Sequence, residues 1–95
     1  MVSLSSKAIE DIEGIINHTF KSFGYDAMLD YHQSLEGCLE ILSKNSNIGL
    51  NYDHVGLGYR CFYHRSHAIF YKNKSKGVFV IRILHKSMDV QKHFD

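Results

Sequence analysis

The residues of this chain best suited to acid–base or metal chemistry are its histidines. Seven are present: His18, His32, His54, His64, His67, His85 and His93. His64 and His67 are separated by two residues, but no cysteine or third histidine lies at the spacing that a structural zinc site needs. We therefore expect no metal site, and we interpret these two residues as exposed histidines of a strand and a turn.

His85 is the histidine with the strongest claim to a catalytic role. It follows a strongly apolar run and lies between Arg82 and Lys86, so burial and the neighbouring cations would both favour its neutral form. A neutral histidine could act as a general base on RNA. It could equally end a strand with a hydrogen bond.

Cations and aromatic residues in the same region suggest a second kind of chemistry. Candidate phosphate ligands are Arg60, Arg65, Arg82 and Lys86, and candidate stacking residues are Tyr59, Tyr63, Phe70 and Tyr71. Such a combination is typical of surfaces that bind single-stranded nucleic acid. The alternative is that the rings belong to the core and the cations are solvated. Alternation along a strand places Cys61 and Tyr63 on the face opposite Arg60, so these residues cannot all share one face.

Charge is divided unevenly along the chain. Eight of the eleven Lys and Arg residues lie from Arg60 onward, beside only two carboxylates, Asp89 and Asp95. That part carries a net charge of about +6, whereas the residues before it carry about −5. The basic half is therefore a candidate surface for an acidic partner, although the total charge is only +1.

Length and composition predict a single cytoplasmic domain, residues 1–95, with one small core. The sequence has no repeat, no apolar run long enough to span a membrane and no signal-peptide core near its start. Two cysteines, Cys38 and Cys61, are too few for a disulfide framework, so we expect both to be reduced, small apolar residues. Glycine-rich phosphate loops, nucleophile elbows and metal-protease motifs are missing, and no cofactor is expected.

The first half has the periodicity of two helices. One apolar stripe recurs at three- and four-residue spacing: Ile9, Ile12, Ile16, Phe20 and Phe23. A serine cap at Ser5 or Ser6 precedes this helix, and Gly24 ends it. A second stripe follows: Met28, Tyr31, Leu35, Cys38 and Leu42. The short connection predicts that the two helices form an antiparallel hairpin.

The second half changes to the period-two pattern of strands. The predicted strands cover residues 2–4 at the start of the chain and then 59–64, 67–72 and 78–85, with turns at 65–66 and 73–77. Residues 43–58 have neither period and are expected to form a loop, and residues 88–94 a short helix or an extended tail. The strand 78–85 is nearly all apolar, which predicts a central strand covered on both faces. The result is an α+β domain of order β-α-α-β-β-β, with a helical hairpin packed on a mostly antiparallel sheet.

The apolar arc of the first predicted helix is wider than one packing face requires. Ala8 and Ile15 add to the stripe described above. An excess of this kind often indicates a second apolar partner, typically an amphipathic helix that lies in a groove.

Four segments of the second half form a recognisable series. They are Tyr59-Arg60, His67-Ala68-Ile69-Phe70-Tyr71-Lys72, Val80-Ile81-Arg82-Ile83-Leu84-His85 and Met88-Asp89. In this order and at this spacing they resemble the ParE branch of the RelE/ParE toxins of bacterial type II toxin–antitoxin systems. The resemblance extends over nearly the whole chain, and the cluster from Arg82 to Asp89 is its most specific part.

The resemblance implies a growth-inhibiting toxin that is not an enzyme, poisons DNA gyrase and is held inactive by a cognate ParD-like antitoxin. Antitoxins of that kind carry a ribbon-helix-helix DNA-binding domain and a disordered segment that folds onto the toxin. We expect that segment to cover the predicted arc: Ile9, Ile12, Ile16, Phe20 and Phe23. The complex would be hetero-oligomeric, would bind promoter DNA only indirectly, through the antitoxin, and would have no membrane partner.

Two target interpretations follow from the resemblance. For contact with gyrase the candidates are Arg82, His85, Lys86, Met88, Asp89 and Phe94, although Arg82 and Asp89 could instead form a structural ion pair. For ribosome-dependent mRNA cleavage of the RelE type, the rival activity, they are Arg60, Arg65, Arg82 and His85. RelE-like nucleases usually place a Tyr, His or Lys set near the last strand and the C-terminus. This chain has no tyrosine after Tyr71, which favours gyrase.

Overall fold

The computed structural model describes residues 1–94 and packs two helices against one face of a five-stranded sheet. In chain order the elements are β1 (Val2–Leu4), α1 (Ser6–Phe23), α2 (Tyr25–Lys44), β2 (Leu50–Asn51), β3 (Tyr59–His64), β4 (His67–Lys74), β5 (Gly77–His85) and a 3-10 turn over Gln91–His93. The strand order is β1-β5-β4-β3-β2, with β1 parallel to β5 and the other pairs antiparallel. The predicted α+β class and the helical hairpin on a mostly antiparallel sheet are confirmed.

The bounds of α1 lie where the sequence predicts, whereas α2 continues to Lys44, two residues into the predicted loop. The side chain of Ser5 caps α1 by accepting a hydrogen bond of 2.9 Å from the backbone N–H of Ala8. Gly24 alone connects the helices: its N–H donates to the carbonyl of Phe20, and its own carbonyl accepts from the N–H of Met28. Its φ of +93° is a backbone angle that glycine adopts without strain. Neither helix in residues 1–94 has the length and apolar character needed to cross a membrane.

The structure corrects two predicted boundaries in the second half. Residues 43–58 are not entirely loop, because Leu50 and Asn51 pair with Cys61 and Arg60 of β3. The turn between β4 and β5 is also shorter than predicted, since Asn73 and Lys74 continue the ladder and only residues 75–76 separate the strands. Backbone hydrogen bonds form these pairs whatever the polarity of the side chains, so the apolar pattern did not reveal them.

Apolar residues fill both faces of the sheet, in two separate clusters. On the helix side, α2 contributes five of the six buried helical residues, and the sheet contributes Ile69, Tyr71, Val78, Val80 and Ile83. On the other face, Cys61, Ala68, Phe70 and Leu84 are covered by Tyr52, Val90 and Phe94. The strand β5 supplies residues to both clusters, as its nearly continuous apolar sequence predicts.

A bulge in β5 decides which of its residues face the helices. Phe70 lies opposite Arg82, but the next residue, Tyr71, lies opposite Val80, so Ile81 has no partner on β4. An unpaired residue shifts the alternation by one position. Val80 and Ile83 therefore both face the helices although they are three residues apart.

Candidate functional site

The helix α1 buries much less of its apolar surface than α2 does. Ala8 is its one fully buried side chain, and Ile12 and Ile16 are only partly buried against the core. Ile9 and Phe20 are about half exposed, and Phe23 is 74% exposed. The α1 arc, defined as Ile9, Ile12, Ile16, Phe20 and Phe23, is thus an apolar surface that the rest of the chain covers incompletely. Its role in binding an antitoxin stays a prediction.

A groove of about 950 Å³ lies between the two helices and one end of the sheet. Its helical walls include Ile15 and His18 of α1 and Tyr31 of α2. The end of the sheet contributes Arg65, Ser66, His67, Ile83 and His85, and Phe23 is the α1 arc residue among its lining. The groove therefore combines apolar walls with a set of titratable side chains.

Hydrogen bonds and ring contacts connect the titratable residues of this groove. The hydroxyl of Tyr31 shares a hydrogen bond of 2.7 Å with Nδ1 of His67, and the rings of His67 and His85 meet edge to face at 5.5 Å. Nδ1 of His85 lies 2.7 Å from Oγ of Ser87. Burial raises the pKa of Tyr31 to about 12. Burial, with a smaller contribution from His85, lowers the pKa of His67, so both groups stay neutral at pH 7.

Arg65 lies at the rim of the groove and is the one predicted phosphate ligand that accompanies His85 there. Its guanidinium donates to Oδ2 of Asp30 at 3.1 Å and lies 5.6 Å from the centre of the Tyr31 ring. About half of the Arg65 side chain is exposed. Arg65 and His85, two of the four candidates for mRNA cleavage, are therefore brought into one groove.

Arg82 is held by a helix instead of facing a ligand site. Its guanidinium donates to both carboxylate oxygens of Asp11, at 2.8 and 2.9 Å, and the hydrogen bond to Asp11 raises the pKa of Arg82. The side chain is 14% exposed. The proposed alternative pairing with Asp89 is wrong, since Asp89 instead accepts a hydrogen bond from the N–H of Gln91 at 3.1 Å.

Arg60 lies in another part of the structure. Its guanidinium donates to the carbonyls of Asn47 and Gly49, at 3.3 and 2.9 Å, and so anchors the loop before β2. It lines a smaller concavity with Lys72 and Asp53. The four candidates for mRNA cleavage therefore do not form one site.

The candidate gyrase contacts differ in accessibility. Lys86, Met88 and Asp89 are exposed, and His85 is half-buried in the groove. Phe94 packs edge to face against Phe70 and Tyr59, with ring centres 5.1 and 5.6 Å apart. Its contribution is therefore to the cluster on the helix-free face of the sheet.

Two of the rings proposed to stack on bases are in the core. Phe70 and Tyr71 are fully buried, so that part of the nucleic-acid prediction is wrong. The expectation that His64 and His67 are exposed is wrong, because both are partly buried. Tyr31 is a core residue, as its stripe predicts, but its hydrogen bond to His67 joins distant parts of the chain and has no local sequence signal. In residues 1–94 no group of three or more His, Cys, Asp or Glu side chains is placed to hold a metal ion.

Comparison with known proteins identifies relatives over nearly the full length. The family described as "ParE toxin of type II toxin-antitoxin system, parDE" matches residues 2–90. Two relatives are both named Toxin ParE1. The one from Mycobacterium tuberculosis is 32% identical over 91 residues and the one from Caulobacter vibrioides 29% identical over 90 residues; each alignment covers 95% of this chain and 93% of the relative.

A solved structure has the same fold. It is a chain of the "Chromosomal ParDE TA system from P. aeruginosa", with a TM-score of 0.73 and 21% sequence identity over 88% of this chain and 92% of that one. The family match over residues 2–90 includes the Arg-Ile-Leu-His series of β5. The chain belongs to the ParE toxin family of type II toxin–antitoxin systems.

Proposed function

We propose that this chain is a growth-inhibiting toxin that a ParD-like antitoxin neutralises by covering the α1 arc. The observation that carries the proposal is the exposure of Phe20 and Phe23, at 49% and 74%, on a helix that already uses its other side for the core. A solvent-exposed apolar arc of this width suits an amphipathic helix from a partner. The solved relative is named as part of a ParDE system, which supports a partner of this class.

We propose DNA gyrase as the target of the free toxin in the cytoplasm, with no catalytic step by this chain. Membership of the ParE family supports that target. The separation of the candidate catalytic cations also supports it, because Arg82 is paired with Asp11 and Arg60 is bound to loop carbonyls. The exposed residues Lys86, Met88 and Asp89 are the part of the predicted contact set that a target could reach without disturbing the fold, whereas His85 is half-buried in the groove. The toxin–antitoxin complex would reach promoter DNA through the antitoxin.

Cleavage of mRNA on the ribosome is the second candidate, and one observation favours it. Arg65, His67 and His85 line one groove, where a cation could bind the scissile phosphate and a neutral histidine could accept the proton of a 2′-hydroxyl. Under this alternative, His85→Ala would abolish activity while the fold stays intact. Under the gyrase proposal, the same variant keeps its inhibitory activity.

Calorimetric titration with the antitoxin segment tests the proposed antitoxin surface. The variants Phe20→Ser and Phe23→Ser should each weaken binding by about 30-fold, because a buried phenylalanine contributes about 2 kcal/mol and 1.4 kcal/mol corresponds to tenfold. Ile41→Ser is the matched control, since Ile41 is an exposed apolar residue of α2 outside the α1 arc. Equal binding by all three variants and the original chain would overturn this placement of the antitoxin.

A further inference from the structure

Four side chains lie side by side across the helix-free face of the sheet, next to the β4–β5 turn. Tyr59 of β3 lies opposite Lys72 of β4, Lys72 lies opposite Phe79 of β5, and Phe79 lies opposite Ser3 of β1. Side chains that pair across strands point to the same face of a sheet. Phe70, two residues before Lys72 on β4, belongs to the cluster on the face away from the helices. These four side chains therefore lie on that face, and Lys74, two residues after Lys72, lies on it too.

Two lysines of this surface rest on aromatic rings. The ammonium group of Lys72 lies 5.7 Å from the centre of the Tyr59 ring, and that of Lys74 lies 5.8 Å from the centre of the Phe79 ring. Lys74 also donates to Oγ of Ser3 at 3.0 Å. Contacts of this kind restrict flexible lysine side chains and so lower the entropic cost of binding an anion. Lys76 follows in the exposed turn, and Lys72, Lys74 and Lys76 together are called the lysine row.

The lysine row has little negative charge to offset it. Among residues 1–94 the ion pairs are His32–Glu36, Lys44–Glu40, Arg65–Asp30 and Arg82–Asp11, none of which involves the row. Asp53 shares a concavity of about 400 Å³ with Lys72, but Arg60 lines it too. The carboxylate of Asp53 already accepts hydrogen bonds from Gly58 and Asn51, at 2.8 and 3.0 Å. The surface therefore stays cationic.

We propose that the lysine row binds the phosphate backbone of DNA. Three exposed ammonium groups along one hairpin complement a polyanion with regularly spaced charges. They are suited to contact phosphates and not to read bases, because the rings of Tyr59 and Phe79 are occupied by the lysines themselves. Binding is therefore independent of DNA sequence. Only the choice of DNA over RNA rests on the proposed function, since the proposed target works on DNA.

Fluorescence anisotropy with a labelled DNA duplex of mixed sequence tests this proposal, with gyrase and antitoxin both absent. The triple variant Lys72→Ala, Lys74→Ala, Lys76→Ala should bind at least about tenfold more weakly than the original chain. Its plot of log affinity against log salt should lose about one unit of slope for each lysine removed. The control triple variant Lys7→Ala, Lys21→Ala, Lys44→Ala removes the same charge from the helices and should bind within about twofold of the original chain.

Three results would overturn the proposal. One is equal weakening in both triple variants, which would mean that net charge alone attracts DNA. Another is no measurable binding by the original chain at low salt, and the third is tighter binding to an RNA duplex of the same sequence. The DNA-binding measurement contains no gyrase, so its result does not test the proposed target. If the triple variant of the lysine row still poisons gyrase as strongly as the original chain, the gyrase proposal stands. Failure of the two proposals is thus distinguishable.

Discussion

Asp11 of α1 and Arg82 of β5 are joined by two hydrogen bonds, from Nε to Oδ2 at 2.8 Å and from Nη2 to Oδ1 at 2.9 Å. The same carboxylate accepts the backbone N–H of Ile83 at 3.0 Å. That N–H lies beyond Val80, the last residue of β5 with a partner on β1. The guanidinium also donates to the carbonyl of His93 at 3.3 Å. One ion pair thus connects α1, the part of β5 that extends beyond β1, and the C-terminal segment that contains His93.

Removing the Asp11 carboxylate should destabilise the fold substantially. Asp11→Ala leaves the guanidinium of Arg82 and the N–H of Ile83 without their acceptor in a region of low exposure, at a cost of about 2–4 kcal/mol. Urea denaturation measures the free energy of unfolding. Asp30→Ala is the control, since its pair with Arg65 is exposed and should contribute less than about 1 kcal/mol. Equal losses in the two variants would contradict this ranking.

The hydroxyl of Tyr71 should be required for the position of the loop before β2. It accepts the backbone N–H of buried Gly49 at 2.9 Å and donates to the carbonyl of Ser46 at 2.8 Å. Tyr71→Phe leaves both groups unsatisfied and should cost about 1–3 kcal/mol. Amide hydrogen exchange should then show faster exchange at Gly49. Tyr25→Phe, which changes a tyrosine that is 60% exposed, should leave stability and exchange rates as they were.

Phe94 should act mainly on stability. Its ring contacts Phe70 and Tyr59 on the helix-free face, so Phe94→Ala should lower the free energy of unfolding by about 1–3 kcal/mol. Met88→Ala, at a half-exposed residue of the same segment, should change it by less than about 0.5 kcal/mol. Thermal unfolding followed by circular dichroism compares the two. If Phe94→Ala melts like the original chain, the tail does not cover this cluster in solution.

Folding stability should decrease as the pH falls below about 6.5. Burial is the main reason that the pKa values of His64 and His67 are lower in the folded chain than the 6.5 of an unperturbed histidine. The unfolded chain therefore binds protons first. The stability is fully present above pH 6.5 and is lost as the pH falls through the lower, folded values.

A comparison of melting temperatures at about pH 7.5 and 5.5 checks this dependence. His67→Gln removes one of the two responsible groups, so its melting temperature should fall less between these pH values than that of the original chain. His32→Gln, at an exposed histidine of α2, is the control and should keep the original dependence. An unchanged fall in His67→Gln would show that His67 does not cause it.

The apolar periodicity of the sequence predicts the helices and the longer strands of this fold. It does not predict the shortest strand or the contacts between residues that are far apart in the chain. The helices and the longer strands contain several repeats of their apolar pattern, whereas Leu50–Asn51 is too short to show one. The hydrogen bond between Tyr31 and His67 joins residues 36 positions apart, and the pair of Asp11 and Arg82 spans 71. No local pattern predicts such contacts.

The α1 arc could be predicted because it depends on a single helix. An apolar stripe wider than one packing face requires can be detected from spacing alone, and the structure leaves Phe20 and Phe23 largely uncovered. Spacing along the chain could not show whether the four candidates for mRNA cleavage form one site. Whether Arg60, Arg82 and His85 meet depends on register, and the structure assigns Arg60 and Arg82 to separate structural roles.

A supercoiling and cleavage assay with purified gyrase and the antitoxin-free chain distinguishes gyrase from the ribosome as the target. We predict loss of supercoiling with accumulation of cleaved DNA, both unchanged by His85→Ala and both reversed by the ParD-like antitoxin. For the variant Phe23→Ser, reversal should need about 30-fold more antitoxin. Unimpaired supercoiling, together with mRNA cleavage on ribosomes that His85→Ala abolishes, would contradict the gyrase proposal and assign the activity to the groove that contains Arg65, His67 and His85.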